Sequence, residues 1–136
     1  ARRRIMHDPL PIHDLYIRPL DLRTTPAGST LTVLRYSDHL LRRFGFAEFH
    51  ELAAGQQRAS EARPVADEVW ALVRGEVEFD WEDRREDSPT LDRTYHLHAN
   101  RPTVVLVPFG VAFRIRSLSG GAALVRLASH EDGDSS

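Results

Sequence analysis

The side chains able to do chemistry are scattered along this sequence, and no cysteine is among them. His96-Leu97-His98 is the one His-x-His. Residues two apart on a strand share a face, so both rings can meet one cation. The competing reading is a strand end running from Tyr95 into Ala99-Asn100-Arg101-Pro102, with a third ligand supplied only if the fold brings in His50. His50 lies on an alternating strand and is the first candidate base, because imidazole titrates near neutrality. Its alternative is a structural role at the edge of a core. Tyr36 and Tyr95 are the remaining acid–base side chains. Arg23, Arg58 and Arg63 are candidate anion binders, since the guanidinium is planar, permanently charged and bidentate. Arg58 and Arg63 either face a cavity or lie solvated, paired with Glu61 or Glu68.

The elements that must position these groups read as strands. Leu15–Leu20, Leu31–Tyr36, Phe46–Leu52, Val65–Val73, Thr94–His98, Thr103–Val107, Val111–Ser117 and Ala122–Ala128 are expected strands, with turn residues between them. After Arg74-Gly75, Val77, Phe79 and Trp81 alternate with Glu76, Glu78, Asp80 and Glu82, which predicts a hairpin with one buried and one wet face. Pro108-Phe109-Gly110 and Ser119-Gly120-Gly121 are expected turns. Ser37–Phe44 is the one plausible helical turn, capped by Ser37 or Asp38. Many short strands with tight turns imply a sandwich or barrel. Trp70, Leu72, Phe79, Trp81, Phe113 and Ile115 are expected to fill it.

Two stretches select the barrel. From Gly55 through Glu61, Arg63 and Glu68 to Gly75, the spacing matches the first cupin motif, and Pro108–Phe113 resembles the second. The four positions that carry metal ligands in that superfamily here hold Glu61, Arg63, Glu68 and Phe113. Arg cannot coordinate and Phe has no lone pair, so no metal and no other cofactor is expected. Within the cupins the chain resembles the dTDP-4-dehydrorhamnose 3,5-epimerase group of sugar-nucleotide enzymes. The resemblance rests on Asp21-Leu22-Arg23, Arg74-Gly75-Glu76-Val77, the loop Asp83-Arg84-Arg85-Glu86-Asp87-Ser88-Pro89-Thr90, the Pro108–Phe113 turn and Arg126. It implies that Arg23, Arg58 and Arg63 face the sugar nucleotide and its diphosphate. It also places Arg58 where the group has its catalytic base, Glu68 where it has a Lys, and Phe113 where it has a turn His. No Tyr stands between Ala123 and Ala128 to serve as the acid. Epimerisation beside a ketone needs a base on one face and an acid on the other; the inherited pair is absent.

The expected fold class is therefore all-β, a cupin jelly-roll β-barrel with at most one short helix. It comprises an N-terminal extension over 1–12, the barrel over 13–129 and a fraying acidic tail over 130–136. The 136 residues suit one domain, and a net charge of −2 argues against nucleic acid as a partner. No apolar run approaches the roughly 20 residues of a membrane span. Arg2–Arg4 lead into Met6-His7-Asp8 and not into an apolar stretch, so a cytoplasmic location is expected. The expected partner is a small anionic ligand such as a sugar nucleotide, and the resemblance implies a homodimer. The competing classes are a non-enzymatic sensor or partner-binding scaffold, and a metal enzyme using His50, His96 and His98.

Overall fold

The computed structural model describes residues 11–132; residues 133–136 and 1–10, which include Arg2–Arg4 and most of the expected extension, lie outside the described residues. The strands are β1 (Tyr16–Pro19), β2 (Leu22–Thr25), β3 (Gly28–Leu31), β4 (Phe46–Leu52), β5 (Gln57–Ser60), β6 (Glu68–Asp83), β7 (Thr94–Ala99), β8 (Thr103–Val107) and β9 (Val111–Ala128). All pairings are antiparallel. One layer runs β1–β8–β6–β4 with the C-terminal half of β9 between β6 and β4. The other runs β5–β9–β6–β7, using the N-terminal half of β9 and the C-terminal half of β6. This is an all-β jelly roll joined along two shared strands. The ladder does not close into a complete barrel among the described residues.

The hairpin expected at Arg74-Gly75 and the turn expected at Ser119-Gly120-Gly121 are corrected by this topology. The first sits inside β6 and the second inside β9, each a long strand that bends from one layer to the other, with register shifts between Ser117 and Ala122 and between Ala123 and Leu124. Gly75 (φ +94°) lies against Gly121 (φ +76°). A Cβ at Gly75 would run into the Gly121 carbonyl and stand 2.7 Å from Ala122 Cα. These glycines permit two backbones to touch at a bulge, which deepens the bend.

Alternation in the second half of β6 matches the expectation. Val77, Phe79 and Trp81 are buried, as are Val105, Val107, Val111, Phe113 and Ile115 on the facing strands. Glu76, Glu78 and Asp80 take the outer face, half-covered by their cross-strand neighbours. Phe79 and Trp81 stack at 5.2 Å, and Trp81 stacks on Tyr95 at 5.8 Å. The first half of β6 is buried on both faces, because a second apolar cluster covers its back. There Val69, Ala71 and Val104 meet Leu20, Val33, Leu40 and Leu41.

That cover explains two further corrections. Leu31–Tyr36 is not a strand; the hairpin β2–β3 ends at Leu31 and the following apolar residues lie on the sheet. The helix expected over Ser37–Phe44 contracts to one 3-10 turn, Tyr36–Asp38. Asp38 is not its cap residue but reaches back to accept the Arg35 amide at 2.7 Å, while pairing with Arg18 at 3.3 Å. Ile12, read as part of the extension, is buried in the main core.

Candidate functional site

At one end of the jelly roll the inner faces of β4, β5, β6 and β9 carry charged side chains among apolar ones. Glu68 opens β6 and is 2% exposed. Its Oε1 accepts from Trp70 Nε1 at 2.9 Å and from Arg126 Nε at 2.9 Å. Its Oε2 accepts from Arg126 Nη2 at 2.8 Å and from Arg63 Nη1 at 3.0 Å. Burial alone would raise this carboxyl, but Arg126, Arg63 and the indole N–H outweigh it and hold it below its ordinary value. Arg126 also donates to Glu48 Oε1 at 3.1 Å, which binds His50 Nε2 at 2.9 Å. Arg58 Nε donates to His50 Nδ1 at 3.0 Å.

That last bond fixes the histidine. An atom receiving a guanidinium N–H must carry a lone pair, so Nδ1 is bare and Nε2 holds the proton that Glu48 accepts. Both ring nitrogens of His50 are engaged, and neither is free to abstract a proton in this arrangement. Trp70 lies between His50 and Phe113, with centroids 5.0 Å and 5.7 Å away. The space left beside Arg63, Glu68 and Phe113 is about 10 Å³, room for roughly one water at most.

The structure thus brings together His50, Arg58, Arg63, Glu68 and Phe113. It does not bring in the other candidates. Tyr36 is 94% exposed on the 3-10 turn. Tyr95 belongs to the Trp81 stack in the other layer. Arg23 is exposed on β2, beside Arg18 and Asp21. Glu61 is solvated and pairs with Arg84 at 3.5 Å, so it partners neither Arg58 nor Arg63. The metal site read from His50, His96 and His98 is also corrected. His50 is on an inner face, whereas His96 and His98 lie on the outer face of β7, against Asp80 at 2.7 Å and against Glu76. Among the described residues no group of three or more such side chains is disposed to hold a metal ion. Sequence reasoning missed Glu48, and it named Arg126 for the resemblance alone, with no role in the site. The available signal was a lone Arg in the otherwise apolar inner series Ala122, Leu124, Arg126, Ala128.

No family model matches the chain. It is 28% identical to the spore coat polysaccharide biosynthesis protein SpsL of Bacillus subtilis (strain 168), over 79% of this chain and 72% of that protein. Its backbone superposes on a dTDP sugar isomerase from Desulfovibrio desulfuricans G20 with a TM-score of 0.83, at 19% identity, covering 94% of this chain and 85% of the other. ChmJ, a 3'-monoepimerase from Streptomyces bikiniensis, matches at 0.80 and 21%, over 93% and 68%. NovW, a 4-keto-6-deoxy sugar epimerase of Streptomyces spheroides, matches at 0.77 and 21%, over 98% and 74%. The fold is that of the dTDP-sugar epimerase cupins.

In this epimerase-type cupin fold the Asp83–Thr90 loop, the most specific part of the resemblance, is built as an anchor. The fully buried Asp83 carboxylate accepts from Arg85 Nε at 2.9 Å, Ser88 Oγ at 2.6 Å and Thr90 Oγ1 at 2.6 Å. Burial opposes its ionisation, but these donors win and hold it far below the usual carboxylate range. Thr90 Oγ1 also accepts the His13 amide at 2.9 Å, and Arg85 Nη2 donates to the His13 carbonyl at 2.5 Å. The loop therefore pins the chain entering β1. Ser88→Ala is expected to cost about 1.5–3 kcal/mol, as for a hydrogen bond to a charged group. Urea denaturation checks it; a loss below about 0.5 kcal/mol would show the anchor to be redundant.

Proposed function

We propose that this chain is a metal-independent, epimerase-type cupin that binds a sugar nucleotide or a similar anionic small molecule at the rim of the charged end, without the inherited epimerase chemistry. The observation that carries this reading is Arg58. Arg63 and Arg126 each meet both Glu68 and Asp132, and Arg126 also meets Glu48, whereas Arg58 has only a neutral imidazole and the Gln57 carbonyl, and no carboxylate within ion-pair range among the described residues. A cation half-buried beside a charged cluster and lacking its own counter-ion is suited to an anionic group. The close packing around Glu68 supports a ligand seated at the rim, not deep between the layers. ChmJ is known in complex with dTDP and with dTDP-quinovose, which favours a nucleotide-linked ligand class.

At the charged end His50 has both nitrogens engaged, Arg58 and Arg126 are permanently protonated, Glu68 is held by its donors and Phe113 has no proton to exchange. The role supported is recognition. A panel of dTDP-, UDP- and GDP-sugars titrated calorimetrically into wild type and Arg58→Ala tests it. Wild type is expected to bind at least one of them, and Arg58→Ala to weaken that binding tenfold or more, about 1.4 kcal/mol. No heat and no melting shift from any of them up to the millimolar range would retire this reading. The scaffold class, which the tight filling of the interior favours, would then stand.

A further inference from the structure

The segment expected to fray, 130–136, includes Glu131 and Asp132, and both are held against the charged end. Asp132 Oδ1 lies 3.2 Å from Arg63 Nη1 and 3.3 Å from Arg126 Nη2, and its Oδ2 lies 3.4 Å from Arg126 Nη1. The Glu131 carbonyl accepts from Arg63 Nη2 at 3.5 Å. The receiving side is built and rigid: the two guanidiniums are 15% and 13% exposed and are braced from within by Glu68. The arriving side is loose, for the Asp132 side chain is 61% exposed.

The charge count gives this contact a meaning. Arg58, Arg63 and Arg126 share the cluster with Glu48 and Glu68, so one positive charge is left over until Asp132 arrives. Guanidinium groups cannot shed the proton to relieve it. Two forks aimed at one carboxylate have the geometry that also suits a phosphate. The chain is tied down just before this point: Ser129 is buried, its amide donates to the Asp67 carbonyl at 2.9 Å, and its hydroxyl oxygen accepts the Asp67 amide at 2.9 Å.

We propose that Arg63 and Arg126 form an anion seat that Asp132 occupies from within the same chain, and that a phosphate or carboxylate group of a ligand enters by displacing it. The ligand's identity rests on the reading given under Proposed function; the seat and its internal competitor do not. An exposed carboxylate in such a pair is held weakly, so it gates the seat without sealing it.

The test titrates inorganic pyrophosphate, in a phosphate-free buffer, into wild type, Asp132→Asn and the double variant Arg63→Gln/Asp132→Asn. Asp132 is solvated, so Asp132→Asn keeps the fold, which a melting curve verifies. Removing the competitor is expected to tighten pyrophosphate binding about fivefold, and the double variant is expected to lose that gain. Equal affinities for wild type and Asp132→Asn, no binding to any of the three, or a double variant that keeps the gain, would overturn the proposal. The sugar-nucleotide panel on the same proteins separates the two ideas. A pyrophosphate gain with no sugar-nucleotide binding leaves the seat and removes the ligand class. Sugar-nucleotide binding that is equal in wild type and Asp132→Asn does the reverse.

Discussion

Glu68→Ala is expected to lower the stability of the protein by about 3–5 kcal/mol, the cost of breaking a buried ionic cluster by removing one member. The carboxylate is 2% exposed and takes four hydrogen bonds, from Arg63, Trp70 and both the Nε and Nη2 atoms of Arg126. Its loss removes the innermost partner of two guanidiniums, leaving them the more exposed Glu48 and Asp132, and takes away the acceptor of the indole N–H. The direction of its titration adds a second signature. The folded carboxyl is held below its ordinary value of 4.5, chiefly by Arg126 and Arg63 working against burial. Its contribution is therefore complete above the unfolded pKa and is lost as pH falls through the folded one. Glu68→Gln, which keeps the volume, should flatten that part of the acid limb of the stability curve. Urea unfolding between neutral pH and about pH 3 measures both effects. A Glu68→Ala loss below about 1 kcal/mol would mean that the cluster is hydrated in solution.

Phe79→Ala is expected to cost about 3–5 kcal/mol, the usual range for deleting a fully enclosed ring. Phe79 is 1% exposed, stands in the middle of the main core and stacks on Trp81 at 5.2 Å with an interplanar angle of 10°. The neighbours on its strand are Glu78 and Asp80, engaged outward with Arg116 and with Arg114 and His96. The ring cannot be replaced by a sliding register, because a one-residue slip would drive both carboxylates inward. A loss under about 1 kcal/mol would contradict the inward orientation of this strand.

Period-2 alternation carried most of the fold. Phe46–Leu52 and Thr103–Val107 have the predicted bounds, and every residue expected inside from Val77 to Ile115 is there. What misled was glycine. Arg74-Gly75 and Gly120-Gly121 have the composition of turns, yet a glycine that lets two backbones touch looks the same in one dimension as a glycine that reverses a chain. Likewise Val33, Leu40 and Leu41 have strand-like apolarity because they cover a sheet, and the back of a sheet asks for the same residues as its interior. The site was legible where spacing counted back from Gly75 reached Arg58, Arg63 and Glu68. It was illegible where partners came from distant strands: Glu48 meets Arg126 only because β4 pairs with β9 in the register Glu48↔Arg126. Whether Arg63 would pair with Glu61 or Glu68 depended on a distance, and Glu68 is the partner at 3.0 Å.

The two long bent strands have a consequence for how the molecule comes apart. β4 and β5 lean on β9, β7 and β8 lean on β6, and β6 and β9 hold each other through both layers. Neither layer owns a central strand of its own, so neither can melt while the other persists. Sub-global openings are confined to the periphery, the β2–β3 hairpin and β1, which touches the sheet through β8 alone. Amide protons of the buried run Val69–Leu72 should therefore exchange with solvent only through complete unfolding. The same pairing, made between segments far apart in the chain, puts this domain among the slower folders. Its native state is expected to be entered and left in one cooperative step, which coincident unfolding transitions from two spectroscopic probes would show.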